Sequence, residues 1–565
     1  MPAKTMLFAK YALITAYLAA DYVALAARYQ SLDSMLYVLI FLVLYAIFAA
    51  LLYVTALISN TPFRLIVALV FAAASILLQT YERGTHQPLT YSIFVTLITS
   101  HGDLGTALYQ YGDVLKVTVP LGIVLFLGIA LPPKVSRPYA RIASLAPVVG
   151  VALLSGILFF RGGEGAAALP APYAPVAFTV LDAQQRLTAV SLPDVTLPRD
   201  DNRKLDRDIV LIVDESIAPQ FLDINNANGV PSGLAHPPAG IDVVNFGYAA
   251  AIHNCSAGSN TTLRYGGTRE NYQEMREGRT NIWAYAKQAG LRTVYLDGQR
   301  DHGELQNAMT ETEKAQIDDF VQLDDEPIRD RDQRLAELLA ERIGNGHPEF
   351  IYINKVGGHF PVHDRFPESA AKYFPILPRG HYAERSDGGA EPVIGFDGSV
   401  EAWRRYRNSY RNTLLWNVGG FFDHLMAKAD LEKATIIYTS DHGQDLQPRS
   451  GRTLATHCGS RPRLDEGVVP LVVIDSASAP LLDWRQNLEI NRNASSAYNI
   501  FPTLVAMMGY KRGPIHAHYG RALDERTNDP FTFNLNYYVF LGREPYWQKV
   551  NLDKLALPDN ADFEG

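Results

Sequence analysis

Cysteine is scarce in this sequence. Its 565 residues include only two cysteines, Cys255 and Cys458. Two are too few for the disulfide framework that stabilises small secreted domains, although an oxidising compartment would permit one bridge between them. The sequence therefore leaves two alternatives for these residues: a single disulfide, or two unpaired side chains that behave as small hydrophobic groups.

Positive charge is also in short supply. Lys and Arg number 51 against 59 Asp and Glu, which gives a formal net charge of -8. Proteins that bind nucleic acid usually present a basic face, so we expect no nucleic acid partner. Charged residues of either sign make up only 19% of the chain and hydrophobic ones 48%, and the shortage of charge is greatest before residue 160.

Long apolar runs fill this N-terminal region. A bilayer is crossed by about 20 consecutive apolar residues in a helix. Runs of this kind predict five spans, of which the fourth is short and contains Pro120: residues 7–29, 34–58, 63–80, 118–132 and 142–160. Residues 1–160 are therefore predicted to form a multi-pass transmembrane domain.

The basic residues of the short loops predict its orientation. Lys134, Arg137 and Arg141 lie between the fourth and fifth spans, and Lys4 and Lys10 flank the first. Positively charged loops stay in the cytoplasm. Because five is an odd number of spans, we expect everything after residue 160 to lie outside, which in a bacterium is the periplasm.

Two segments connect or flank the spans. Residues from about 85 to 115 show apolar positions at helical spacing, which predicts amphipathic helices on the outer membrane surface. Residues 161–205 are rich in Gly, Ala and Pro and then in charge, which is typical of a linker. The soluble domain is predicted to cover residues 206–565.

That domain alternates short apolar runs with helical stretches. Runs rich in Val and Ile predict strands at residues 208–214, 292–298, 349–355, 434–440 and 468–475. Strands that are apolar on both faces and separated by helices indicate a mostly parallel sheet covered on both sides.

Acids and histidines follow or precede several of these strands. Glu215 follows the first strand, His359 the third, Asp441 and His442 the fourth, and His457 lies ahead of the last. Open α/β sheets bind ligands at the carboxyl ends of their strands. Carboxylate oxygens and imidazole nitrogens are ligands for zinc or a similar divalent ion, so the pattern predicts a metal site at this edge.

A segment rich in hydroxyl groups, HNCSAGSNTTLRYGG, lies between the first and second predicted strands. A helix is predicted to begin there, and the amides at its start would favour an anion such as a phosphoryl group. A Ser or Thr hydroxyl beside a divalent cation loses its proton more easily and becomes a nucleophile. The alternative is a simple helix-capping sequence.

These motifs together resemble a known family. In chain order, VDES, GSNTT, GGH, SDHG and THC are similar to the motifs of the bacterial inner-membrane phosphoethanolamine transferases of the lipid A and colistin-resistance type, within the alkaline phosphatase and sulfatase superfamily. The resemblance implies an α-helical transmembrane domain of five spans plus an α/β sulfatase-like domain. It also implies transfer of phosphoethanolamine from phosphatidylethanolamine to lipid A or another outer-leaflet or periplasmic glycan or lipid, through a phosphoseryl enzyme.

The resemblance assigns a role to each matching residue. It implies one divalent metal, zinc, held by Glu215, Ser259, Asp441 and His442. Ser259, at the place of the family's threonine, would be the nucleophile. His359 and His457 would contact the phosphoryl group or the leaving group.

The hydroxyl motif departs from the family pattern. Two extra residues separate Cys255 from Gly258, which leaves Ser256 as a second candidate nucleophile. Gln444 stands where the family has a glutamate after the D-H-G triplet.

A weaker similarity concerns the outer region between the third and fourth spans. LITSHGDLGTA resembles the family's L-x-T-x-x-x-E-A segment, with Val95 in the place of an expected asparagine. By this match Thr99 and Asp103 would contact the head group of the lipid donor.

Other activities fit the same residues. A phosphoglycerol transferase, or another phosphodiester hydrolase of the superfamily, would use the same metal and hydroxyl. A non-catalytic glycan-binding protein on the same scaffold is a further alternative. A true sulfatase is disfavoured, because its modified residue is followed by x-Pro-x-Arg, whereas Cys255 is followed by Ser-Ala-Gly-Ser.

Overall fold

The protein is described from a computed structural model. It describes residues 3–30, 32, 34–85, 88–99, 104–133, 137–161, 163–188, 194–200, 205–271, 280–379, 396–448, 456–458, 462–535 and 545–556. The described chain falls into two compact units, one up to residue 188 and one from residue 194 onward.

The described residues of the first unit form helices joined by short connections. The helices are α1 (Ala3–Ala19), α2 (Tyr22–Gln30), α3 (Met35–Thr55), α4 (Thr61–Thr85), α5 (Tyr91–Thr99), α6 (Leu104–Ala130), α7 (Arg137–Phe160) and α8 (Tyr173–Thr188). Within this described part, four segments are long and apolar enough to cross a membrane: Met35–Thr55, Thr61–Gly84, Gly112–Ala130 and Ile142–Phe160. They coincide with the second to fifth predicted spans.

The first predicted span, residues 7–29, is not one helix. The chain is interrupted between α1 and α2, where the Asp21 carboxylate accepts hydrogen bonds from Gln79 (3.0 Å) and Arg83 (3.2 Å) of α4. An acid placed among apolar helices needs such partners. These hydrogen bonds connect the interruption between α1 and α2 to α4.

Two further segments differ from the expectation. Residues from about 85 to 115 are not separate surface helices throughout, because α6 runs without a break from Leu104 into the fourth span. The segment predicted as a linker contains α8, whose apolar residues are buried in the core of the helical unit, among them Tyr173, Ala177 and Phe178. Apolar residues at three- and four-residue spacing explain why it is helical.

The second unit is built on an eight-stranded sheet. Its strands are β1 (Asp208–Asp214), β2 (Ile241–Ala250), β3 (Arg292–Asp297), β4 (Asp319–Gln322), β5 (Glu349–Asn354), β6 (Ala434–Ser440), β7 (Val468–Ser476) and β8 (Ser495–Ser496), in the order β4-β3-β5-β1-β6-β7-β2-β8. Pairing is parallel except at β6–β7 and β2–β7. The prediction of a mostly parallel sheet is confirmed. Two short antiparallel strands, β9 (Thr532–Asn534) and β10 (Trp547–Lys549), form a second sheet.

Helices accompany this sheet as expected. They are α9 (Ser256–Tyr265), α10 (Ile282–Gln288), α11 (Glu311–Lys314), α12 (Arg331–Arg342), α13 (Val400–Leu414), α14 (Phe421–Lys428), α15 (Leu488–Asn491), α16 (Ile500–Met507) and α17 (Arg512–Tyr519). Strands β1, β5, β6 and β7 are buried at every residue. Burial on both faces explains their continuous Val and Ile runs.

Register brings the ends of the parallel strands together. Asp214 of β1 pairs with Ser440 of β6, and Val213 pairs with Asn354 of β5. Asp297, the last residue of β3, pairs with the same Asn354. Residues that follow these strands therefore emerge from one edge of the sheet.

Candidate active site

Three of the predicted metal ligands meet at this edge. Glu215 follows β1, and Asp441 and His442 follow β6, where the Asp441 amide donates to the Asp214 carbonyl at 3.0 Å. All three side chains are buried, at 1% exposure or less. The pairing of two adjacent parallel strands thus carries two carboxylates and one imidazole into a single buried place.

His457 joins this cluster. Ligand atoms of Glu215, His442 and His457 all lie within 4.8 Å of one another. The His442 Nε2 is 3.2 Å from Glu215 Oε1, and the two imidazole rings stack with centroids 4.4 Å apart. The structure therefore offers His457 as a possible ligand, in addition to the substrate contact implied by the family resemblance.

Asp441 shows how well the cluster fits a cation. Its Oδ1 accepts hydrogen bonds from the amides of Ser216 (3.1 Å) and His442 (2.7 Å). Its Oδ2 is buried, receives no hydrogen bond from the described residues, and lies 3.6 Å from His442 Nε2. An orphaned carboxylate oxygen beside imidazole nitrogens is a donor set suited to a divalent ion. The side chains of this cluster therefore fit a divalent metal ion.

The two candidate serines have different surroundings. Ser256 Oγ lies 3.3 and 3.2 Å from the Oε1 and Oε2 atoms of Glu215, and 3.2 Å from Nε2 of His442. Ser259 is completely buried, and its hydroxyl is bonded to the backbone of His253, accepting from its amide and donating to its carbonyl. The structure brings Ser256, and not Ser259, to the cluster.

Helix geometry explains why only one of the two serines reaches the metal-ligand cluster. Ser256 is the first residue of α9, and Ser259 lies almost one turn, or about 5 Å, further along the axis. The two extra residues after Cys255 therefore shift the hydroxyl that faces the metal ligands.

His359 follows β5 at the same edge. Its Nδ1 donates to the Phe360 carbonyl at 2.6 Å. The preceding turn packs against Glu215: the Gly358 amide donates to the Glu215 carbonyl at 2.8 Å. Gly357 has a φ of +53°, and a Cβ there would lie 2.6 Å from Asp214 Oδ1, so this position requires glycine.

Cys255 and Cys458 form a disulfide, with their Cα atoms 4.8 Å apart. This resolves the alternatives that the sequence left open for the two cysteines. The bridge connects the residue before Ser256 with the residue after His457.

The predicted contacts to the donor head group are not visible. Asp103 lies outside the described residues, and so does the side chain of Thr99, the last residue of α5. Both residues remain predictions.

The buried ionisable groups of the cluster shift one another's pKa values. Burial would raise the pKa of Glu215, but the hydrogen bond from His442 and the charges of His442 and His359 hold that pKa well below its usual range. Burial alone would lower the pKa of His442. The charges of the neighbouring carboxylates outweigh this effect and raise the pKa to about 9. Burial, together with the charge of Glu215, raises the pKa of Asp441 to about 8. Without a metal, His442 and Asp441 hold protons at neutral pH, whereas Glu215 is ionised.

A buried ion-pair network lies beneath the cluster, and sequence reasoning missed its central residue. Lys355 Nζ donates to Asp214 Oδ2 at 2.9 Å and lies 3.8 Å from Asp332 Oδ2. Asp332 also accepts from the amides of Val356 (2.8 Å) and Gly357 (2.9 Å). The network ties the end of β1 to the turn that follows β5. A lysine inside an apolar strand pattern is its sequence signal.

Gln299 was also missed. Its Nε2 donates to the Lys355 carbonyl at 2.7 Å and lies 3.4 Å from Glu215 Oε2. It follows β3, whose last residue, Asp297, accepts from the Gln299 amide at 3.0 Å. The polar DGQ after the strand was the available signal.

Comparisons with known proteins agree with this architecture. A family model described as Sulfatase matches residues 253–510. No curated protein sequence matches the chain. Among solved structures, the chain is similar to the integral membrane lipooligosaccharide phosphoethanolamine transferase A (EptA) from Neisseria meningitidis, at 18% identity and a TM-score of 0.57, over 90% of this chain and 95% of that one.

The periplasmic domain of EptC from Escherichia coli is also similar, at 16% identity and a TM-score of 0.46, over 66% of this chain and 99% of that one. The predicted sulfatase-like fold is confirmed. At 18% identity the likeness to EptA establishes the fold alone.

Affinity for a divalent metal ion should increase with pH. Protons on His442 and Asp441, with pKa values of about 9 and about 8, compete with the metal for the same atoms. We therefore expect tighter binding as pH rises from about 6 to about 9, with release of protons. Competition with a chromophoric chelator measures the affinity, and calorimetry in two buffers of different ionisation enthalpy counts the protons. Affinity that does not change over this range would contradict the assignment.

Replacing Lys355 by methionine should destabilise the soluble unit. The change leaves the buried Asp214 carboxylate without its ion-pair partner, and breaking such pairs costs about 3–5 kcal/mol. Denaturant unfolding followed by tryptophan fluorescence would detect the loss. The exposed Lys428→Met is a matched control and should change the midpoint little. Equal midpoints for the two variants would refute the role given to the network.

Proposed function

We propose that this chain is a metal-dependent phosphoethanolamine transferase. It takes phosphoethanolamine from phosphatidylethanolamine and passes it, through a phosphoseryl enzyme, to lipid A or another outer-leaflet or periplasmic glycan or lipid. The observation that carries the proposal is the position of Ser256. Its hydroxyl lies among metal-ligand candidates at the start of a helix, within a sulfatase fold.

Ser256 is proposed as the nucleophile in place of Ser259. Ser256 is partly exposed, so a substrate can reach it, whereas Ser259 is completely buried. In the first half-reaction the Ser256 oxygen forms a bond to phosphorus, and the bond between phosphorus and the diacylglycerol oxygen breaks. Diacylglycerol leaves with the proton that balances the charge.

The start of α9 suits a phosphoryl group. Cys255 occupies the N-cap position, and no side chain of the described residues caps the helix there. The first amides of a helix attract anions. A phosphoryl group bonded to Ser256 would lie beside these amides, so the helix would stabilise both the transition state and the phosphoseryl enzyme.

Glu215, Asp441 and His442, with Ser256 and His457 beside them, would hold the metal. We propose zinc, because imidazole and carboxylate donors suit that ion. A divalent ion bound here would lower the pKa of the serine hydroxyl and offset charge on the phosphoryl oxygens.

His359 is proposed as the general acid and base, because an imidazole nitrogen of His457 that binds the metal cannot also transfer a proton. Imidazole works as an acid or base near neutral pH, and the charge of His359 acts on Glu215. His359 would protonate the departing diacylglycerol oxygen. The acceptor hydroxyl or phosphate would then attack the phosphoseryl group, and a histidine would remove a hydroxyl proton.

The location follows from the donor. A phospholipid substrate requires access to a membrane, and four helices of the first unit are long enough to cross one. We propose a multi-pass protein of the bacterial inner membrane with its catalytic unit in the periplasm. Thr99 and Asp103 remain proposed contacts to the donor head group.

Loss of the Ser256 hydroxyl should abolish the covalent intermediate. After incubation of detergent-purified protein with phosphatidylethanolamine, intact mass should show a phosphoethanolamine adduct on the wild type and on Ser259→Ala, but none on Ser256→Ala. Turnover of Ser256→Ala should fall by about 10³-fold or more.

The same experiment separates the alternatives. An adduct that survives in Ser256→Ala but disappears in Ser259→Ala would restore Ser259 as nucleophile. A phosphoglycerol adduct formed only from phosphatidylglycerol would change the donor. Bound zinc without any adduct from either lipid would overturn the transferase proposal.

A further inference from the structure

The disulfide lies between two residues of the proposed site. Cys255 is the N-cap of α9, directly before Ser256, and Cys458 directly follows His457. The two cysteines are separated by 203 positions. One covalent bond therefore joins the helix that presents the nucleophile to the segment that presents a cluster histidine.

His457 has little regular structure to hold it. Residues 456–458 belong to no helix or strand. Backbone hydrogen bonds reach this segment on both sides of His457: the Asp445 amide donates to the Thr456 carbonyl, and the Cys458 amide donates to the Asn254 carbonyl, each at 2.9 Å. His457 itself is half-buried and stacks on His442.

The backbone at Cys458 is in the left-handed region, with a φ of +59°. A residue with a Cβ adopts this conformation only when its surroundings impose it. The disulfide and the hydrogen bond to Asn254 act on this residue and supply that constraint. The conformation sets the direction of the chain at His457, the residue before it.

We propose that the Cys255–Cys458 disulfide is a positioning element that holds His457 against His442, so that the metal cluster is complete only in the oxidised protein. This inference rests on the proposed metal site, but it does not depend on which lipid is the donor. Because such bonds persist in oxidising compartments, the chain would acquire its full metal affinity only after its soluble unit reaches one.

The bond can be opened chemically without affecting other thiols, because these are the only two cysteines in the sequence. A trialkylphosphine reduces the bridge to two thiols. The phosphine is itself oxidised to the phosphine oxide, with the oxygen atom supplied by water. Capping both thiols with iodoacetamide then prevents them from closing again and from binding zinc themselves.

A double-mutant cycle on the full-length protein in detergent tests the proposal. Zinc affinity is measured by chelator competition for the wild type, Cys255→Ala/Cys458→Ala, His457→Asn and the triple variant. We expect the disulfide-free and His457→Asn proteins each to bind zinc about 10–100-fold more weakly. The triple variant should be no weaker than His457→Asn, because the bridge acts through His457.

Two outcomes would overturn the inference. Zinc affinity equal to the wild type in the disulfide-free protein would show that the bridge does not position a ligand. Losses that multiply in the triple variant would show that the bridge acts through the fold or through Ser256. If the alanine variants do not fold, reduction and capping of the folded protein, with and without His457→Asn, provides the same cycle.

The readout separates this inference from the proposed function. Zinc affinity requires no lipid, so absence of transferase activity leaves the test intact. Conversely, a phosphoethanolamine adduct on a disulfide-free protein of unchanged zinc affinity would support the function and refute the inference.

Discussion

The burial of two acidic side chains at the ends of β1 and β6 is the constraint on which the site depends. Glu215 and Asp441 are removed from water, and burying carboxylates is costly unless other groups compensate for them. His442 compensates Glu215, and two backbone amides compensate one oxygen of Asp441. The second oxygen has no hydrogen-bond donor among the described residues. This incomplete compensation is what makes the place suitable for a cation.

The sheet maintains this arrangement through a second buried network. Lys355 lies between Asp214 and Asp332 and connects the two strand ends that carry Glu215 and His359. A salt bridge buried so deeply contributes little net stability compared with apolar packing. Its value here is positional, because it fixes where the strands end and where the turns leave the sheet. Rigid support of this kind is what a metal site needs.

How much of this could be predicted from the sequence differs between elements. The fully buried strands were predictable because continuous Val and Ile runs are characteristic of them, whereas β2 and the short β4 carry many half-buried residues and were missed. That Glu215, Asp441 and His442 lie together at one edge of the sheet was predictable, because they occupy the first or second position after β1 and β6.

The choice between Ser256 and Ser259 could not be made from spacing. It depends on the residue at which α9 begins, which is Ser256 in the structure and which the residue spacing alone does not specify. Lys355 and Gln299 were missed for a related reason, since a single polar residue has no periodicity.

Gln444 was visible as a departure from the family pattern, and the structure supplies its physical reason. Its Nε2 donates to the Tyr406 hydroxyl at 3.1 Å, in a completely buried place beside Asp445. A glutamate there would add a second buried carboxylate, whereas the amide is neutral and supplies the donor.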